Sequence, residues 1–148
     1  MKSPSLLLRA TFATLLLALS SIVFAEGVLN ANNATAEDMA VLPHLNDALA
    51  TTIVSNRPYV TIGALHELLG AHLDDEQLAD LYVHLFVPIN LNTADDAHML
   101  LIPGVGKRMA HEFEEYRPYS NIEQFRREMG KYVDEKEVAR LEQYVTLD

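Results

Sequence analysis

The sequence predicts an all-α fold of two tandem units, each about 60 residues long, behind a signal peptide. Three observations predict it. The chain matches itself without gaps at an offset of 60 residues. Between Pro and Gly stops, apolar residues recur at helical spacing behind Ser, Thr, Asn and Asp caps. No segment alternates with period two for long enough to make a convincing strand.

Composition bounds the chemistry first. The 148 residues include 11 Lys and Arg, 21 Asp and Glu and no Cys, for a formal charge of −10. Without cysteine there is no disulfide framework, thiolate zinc site, thiol nucleophile or lipid-modified N-terminal Cys. The absence of Trp and the count of only six Gly exclude collagen-like and low-complexity classes. The acidic balance argues against a generic polyanion sponge, because affinity for nucleic acid rests largely on Lys and Arg neutralising phosphates.

Residues 1–25 read as the signal peptide. Lys2 and Arg9 precede an apolar run from Ala10 to Phe24, and Val23-Phe24-Ala25 has the pattern of an export cleavage site, leaving Glu26 as the mature N-terminus. The run is short for a span of about 20 residues and lacks a stop-transfer flank. The expected location is therefore periplasmic or secreted, with no membrane span after cleavage. Removal of Lys2 and Arg9 leaves nine basic residues against 21 acids, a charge of −12. Such self-repulsion discourages anionic partners unless the few cations are clustered.

The two units are residues 26–87 and 88–148. At the 60-residue offset Asn30 and Asn32 fall on Asn90 and Asn92, and Met39 and Pro43 on Met99 and Pro103. Arg57-Pro58-Tyr59 falls on Arg117-Pro118-Tyr119, and Gly70 and Asp74 fall on Gly130 and Asp134. Each unit reads as four short helices. In the second, Thr93 with Asp96 three residues on marks a helix start carrying Met99, Leu100 and Ile102, and Pro103 ends it. Met109, Ala110, Phe113 and Tyr116 define a helix from Lys107 to Tyr116, stopped by Arg117-Pro118. Ser120 or Asn121 caps a third helix with Ile122, Phe125 and Met129, which Gly130 terminates. Asp134 caps a fourth, with Val138, Leu141, Tyr144 and Val145 on one face.

The segment Ile102 to Ala110 carries the chemistry. Gly104 and Gly106 flank Val105 between two helices, permitting a tight turn at positive φ with Val105 tucked inward. A helix start here exposes main-chain N–H donors, and Lys107 and Arg108 sit beside them. A nucleic acid phosphate is a natural ligand, held without reading bases. A purely structural αα-turn accounts for the glycines as well, and both readings stay open.

These residues resemble a known family. Ile89-Asn90-Leu91-Asn92-Thr93-Ala94 followed by Leu101-Ile102-Pro103-Gly104-Val105-Gly106 is similar to the helix-hairpin-helix domain of ComEA-type competence proteins, over most of 88–145 and more weakly over 28–87. The resemblance implies that each unit is a pair of helix-hairpin-helix motifs of the SAM-like class. It also implies sequence-independent binding of double-stranded DNA in uptake outside the cytoplasm. Carried over residue by residue, the DNA-binding set is Gly104, Val105, Gly106, Lys107, Arg108 and Lys131.

This chain departs from the family pattern. The first-unit counterpart of the hairpin is Pro43-His44-Leu45-Asn46-Asp47, without either glycine. Gly70-Ala71-His72-Leu73 and Gly130-Lys131-Tyr132-Val133 each keep one glycine. The first unit has one basic residue, Arg57, against nine acids, and the second has eight against twelve. Phosphate binding is therefore expected only in the second, and weakly at physiological salt, because one intact hairpin stands among Glu112, Glu114 and Glu115. The architecture also resembles the extrinsic lumenal subunit of photosystem II, which implies a role in protein contacts instead.

Other motifs point to structure. Six His (44, 66, 72, 84, 98 and 111) lack metal-site spacing with carboxylates. Asp74-Asp75-Glu76 reads as a helix start, with no calcium-loop pattern after it. Asn33-Ala34-Thr35 matches a glycosylation acceptor, for which a bacterial host predicts no glycan. The Arg-Pro-Tyr tripeptides read as helix ends that pack an aromatic. No nucleophile triad, P-loop or paired-carboxylate spacing is present, so neither an enzyme nor a cofactor or metal is expected. Two functions of different class follow: a DNA-backbone binder, and an acidic adaptor or stabilising subunit bound to an envelope protein.

Overall fold

Helix starts in this protein are set by single side chains. In the computed structural model, which describes residues 27–148, seven helices begin on a residue whose side chain accepts a first-turn N–H. Chain order is β1 (Leu29–Asn30), α1 (Ala36–Ala40), α2 (Asp47–Ser55), α3 (Ile62–Gly70), α4 (Asp75–Tyr82) and β2 (Leu85–Phe86). The same order then recurs as β3 (Ile89–Asn90), α5 (Asp96–Met99), α6 (Lys107–Glu115), α7 (Ile122–Met129), α8 (Glu135–Glu142) and β4 (Val145–Thr146). The chain is mostly helical. The expected signal segment lies outside the described residues.

Three local expectations are corrected. Asp95, not Thr93, caps α5, its carboxylate accepting from His98 N–H at 3.0 Å. Thr93 and Ala94 instead form a turn, both N–H groups bonding the Asn90 carbonyl, and the helix begins after it. Short strands are present. β1 pairs in parallel with β2 (Leu29 opposite Leu85), and β3 with β4 (Ile89 opposite Val145). Two residues are too few to display alternation, so no periodicity signals them. Val145 accordingly belongs to β4 rather than to the apolar face of α8.

The residues that recur at the 60-residue offset bond to one another. Arg117 donates from Nε to the Leu91 carbonyl and from Nη2 to the Ala94 carbonyl, at 2.5 and 2.6 Å. Arg57 does the same to Ala31 and Ala34, at 2.6 and 2.5 Å. Asn92 closes a two-way bond with the Tyr119 backbone, accepting at 2.7 Å and donating at 3.0 Å, and Asn32 repeats it on Tyr59. Asn30 and Asn90 turn the chain by accepting from the N–H two residues on. The Asn-x-Asn and Arg-Pro-Tyr signatures thus fasten the strand that enters each half to the loop after its second helix.

Both halves contribute to one apolar core. Tyr82, Phe86 and Tyr144 stack edge-on in a chain, with centroids 5.6 and 5.0 Å apart. The buried Tyr144 hydroxyl donates to the Tyr82 carbonyl at 3.0 Å, joining α4 of one half to the end of the other. Phe113 and Phe125 pack similarly between α6 and α7, 5.3 Å apart. At the joint, His98 lies against Gly63, where a Cβ would collide with its Nε2.

Candidate functional site

The bend between α5 and α6 has the conformation its glycines imply. Gly104 adopts φ +80°, and the Val105 side chain turns inward to 6% exposure while its N–H closes on the Ile102 carbonyl at 3.0 Å. Of the expected DNA-binding residues, Val105 therefore offers a ligand neither its side chain nor its amide. Gly104, Gly106, Lys107 and Arg108 are exposed. Arg140, 36 residues beyond Gly104, braces the bend from outside. Its Nη2 donates to the Pro103 carbonyl at 2.8 Å while Glu137 anchors the same guanidinium.

Gly106 distinguishes α6 from the other described helices, because it caps without a side-chain acceptor. The first-turn N–H groups of Lys107, Arg108 and Met109 have no acceptor within the helix, so they face outward unpaired. Neither Lys107 nor Arg108 forms an ion pair among the described residues. Two acids nearby are engaged elsewhere, Glu114 with Arg117 at 3.5 Å and Glu115 with His111 at 3.6 Å. The first half keeps the same bend with different chemistry. His44 takes the left-handed position, φ +64°, and Asn46 caps α2 by accepting from Leu49 N–H at 2.9 Å. Asp47 then stands where Lys107 does, and the Arg57 guanidinium is bound to internal carbonyls.

Lys131 comes to the same place as the α6 bend, though not as a free cation. Gly106, Arg108, Met109, Glu112, Lys131 and Tyr132 line one cleft of about 380 Å³. Within it Lys131 pairs with Glu128, which is only 8% exposed, and its ammonium lies 4.7 Å from the centre of the Tyr116 ring. Hydrogen bonding between them raises the Lys131 pKa and lowers that of Glu128, which Arg127 also contacts. The three-residue spacing from Glu128 to Lys131 on a helix end was the available signal for this pairing.

Glu112 and Tyr132 complete the cleft and were not among the expected site residues. The Tyr132 hydroxyl meets that of Tyr116 at 2.8 Å, and the Glu112 carboxylate and Tyr116 together raise the Tyr132 pKa. Glu112 Oε2 is buried and accepts no hydrogen bond, and the buried Tyr119 hydroxyl also lacks a partner. Glu112 lies one turn beyond Arg108 on α6, so helical spacing alone placed it on the same side.

Among the described residues no group of His, Asp and Glu could hold a metal ion, and no helix is long and apolar enough to cross a membrane. Comparison with protein-family models, with curated proteins and with solved structures found no match.

Proposed function

We propose that the chain is an exported, non-enzymatic binding protein of two helix-hairpin-helix units, the second of which grips the phosphate backbone of DNA weakly and without reading sequence. The observation that carries this reading is the start of α6: unpaired amides at an uncapped helix N-terminus, flanked by two exposed cations free of carboxylate partners. Helix N-termini suit phosphate because their donors and dipole both favour negative charge. Lys131, held by Glu128, adds orientation more than charge. The resemblance to ComEA-type proteins supports DNA as the source of the phosphate, and the leader-like first 25 residues support a place outside the cytoplasm.

The test is fluorescence anisotropy of a labelled duplex with protein from Glu26 onward across a salt series. Two cations on phosphates give a slope of log affinity on log salt near −2, at about −0.9 per phosphate. Lys107→Glu with Arg108→Glu abolishes binding. Absence of binding even at low salt sinks the reading.

One observation favours an adaptor role for the first half. Its lone Arg57 is occupied internally, and its other charged side chains apart from His are acids, so the surface of residues 27–87 suits a basic protein partner. Recovery of such a partner from envelope extract, lost on neutralising Asp47 and Asp80, is the corresponding result.

A further inference from the structure

Two tyrosines meet beside the α6 bend, and phosphate binding needs neither hydroxyl. Tyr116 caps the C-terminus of α6, and Tyr132 lies in the bend between α7 and α8. Their hydroxyls are 2.8 Å apart and their ring centres 6.4 Å, at a tilt of 53°. The other four tyrosines of the chain, Tyr59, Tyr82, Tyr119 and Tyr144, are buried. The Tyr59 and Tyr144 hydroxyls donate to main-chain carbonyls, and that of Tyr82 bonds His66. Tyr132 is 38% exposed and Tyr116 is half-buried, so an oxidant in solution reaches this pair first. The chain has no Cys or Trp to be oxidised ahead of them. Asn56 and His72 stand at the matching positions of the first half, so the pair occurs once.

We propose that Tyr116 and Tyr132 form an oxidative cross-linking site, joined ring to ring within one chain by a one-electron oxidant of the haem-peroxidase class. A neutral phenol gives up an electron readily only when its proton has somewhere to go. Hydrogen bonding to the Glu112 carboxylate, with that to Tyr116, raises the Tyr132 pKa, so the three side chains make one short relay. The Tyr132 proton passes to Glu112 as the first electron leaves. The Tyr132 radical then takes a hydrogen atom from Tyr116 across the 2.8 Å contact, which restores Tyr132 for a second oxidation from outside. The two phenoxyl radicals couple at carbons ortho to their oxygens, and the hydrogens on those carbons move to the oxygens. Two electrons and two protons are lost in all, and one hydrogen peroxide takes up both pairs and leaves as two waters. Coupled rings lie closer together than these, so Tyr132 swings inward by about 2 Å, within the range of an exposed side chain's fast motion. The product staples the end of α6 to the α7–α8 bend in a chain that has no cysteine for a disulfide.

Stoichiometric hydrogen peroxide with a haem peroxidase, added to the purified protein, tests this. Dityrosine fluorescence appears at the monomer position of a denaturing gel, and peptide mapping finds the fragments holding Tyr116 and Tyr132 joined with the loss of two hydrogens. Tyr116→Phe and Tyr132→Phe each abolish the product. Glu112→Gln slows it roughly tenfold, less than the full effect of a positioned base because water also accepts the proton. The cross-link closes a loop of chain, so the treated protein unfolds at a higher urea midpoint. In urea-unfolded protein the same treatment spreads coupling over all six tyrosines, because the fold sets the pairing. Circular dichroism checks that each variant folds, and where one does not, the peptide map of the unaltered protein decides. Coupling only between chains, coupling through another tyrosine, or oxidation that stops at the half-buried Met109 with both rings intact overturns the proposal. An unchanged rate in Glu112→Gln overturns the part given to Glu112. None of these outcomes depends on whether the α6 turn binds phosphate.

Discussion

Replacing Arg117 by lysine distinguishes a brace from a phosphate ligand. Its guanidinium reaches the Leu91 and Ala94 carbonyls from two different nitrogens, at 2.5 and 2.6 Å. An ammonium lacks the planar fork, so it can serve one carbonyl and leaves the other without its donor. A hydrogen bond from a charged group contributes about 1.5–3 kcal/mol, and the stranded acceptor adds a cost of similar size. Because the side chain is 21% exposed, water recovers part of this. The expected loss is about 2–3 kcal/mol, or roughly 5–10 °C in melting temperature for a chain of this size. Urea unfolding followed by far-UV circular dichroism reads it as a lower midpoint with an unchanged slope. Arg57→Lys behaves alike, and Arg127→Lys, whose side chain is 66% exposed, changes little. A shift below about 0.5 kcal/mol, the scale of ordinary surface substitutions, refutes the reasoning. So does a fall in DNA affinity with stability intact.

The remaining expectations use the same unfolding assay. Tyr59→Phe costs about 1 kcal/mol because the Tyr59 hydroxyl donates to the Ile53 carbonyl at 2.7 Å. Tyr119→Phe, at the matching position, is neutral or stabilising because that buried hydroxyl has no partner. Gly104→Ala destabilises by about 1–2 kcal/mol through its left-handed φ, and His44→Gly relieves the same strain in the other half. Arg126 holds the Glu142 carboxyl below its ordinary range, and Arg140 does so for Glu137, in each case mainly by hydrogen bonding. Since the folded pKa is the lower one, this stabilisation is complete above the ordinary carboxylate range and is lost as pH falls through the folded values. The urea midpoint therefore drops on acidification below the ordinary carboxylate range, and Glu142→Gln lessens the drop. A midpoint that rises with acidification contradicts the assignment.

Much of the helical framework was legible because it is written locally. Asn121, Asp134 and Gly130 each act within one turn of their own position, so reading them in order recovered α7 and α8. The inward turn of Val105 and the exposed bend also followed from a few adjacent residues. Thr93 and Asp95 are both good caps by residue type, and the fold settles on Asp95, with Thr93 and Ala94 in the turn on Asn90. The short strands escaped notice because their partners lie 56 residues away, Leu29 opposite Leu85 and Ile89 opposite Val145.

The candidate site was legible as a bend and two cations, and it was incomplete as a cleft. The resemblance places Lys131 in the DNA-binding set, while Glu128, at helical spacing from it, takes its charge in the fold. In the sequence Arg140 is one more basic residue, and its role as a brace on Pro103 depends on how α8 folds back over the bend. The recurring Arg-Pro-Tyr was recognised as structural, but what it holds, the strand entering each half, required the fold.

By itself the sequence determined the order of the helices, most of their caps and the bends between them, since these depend on contacts within a turn or two of the chain. Tertiary structure decided which charges remain free. Whether an arginine faces solvent or an internal carbonyl is settled by partners 23 to 37 residues away, as Arg117 and Arg140 show. It also decided that the two halves share one core, because the aromatic side chains joining them, Tyr82, Phe86 and Tyr144, come from both halves, up to 62 residues apart in the chain.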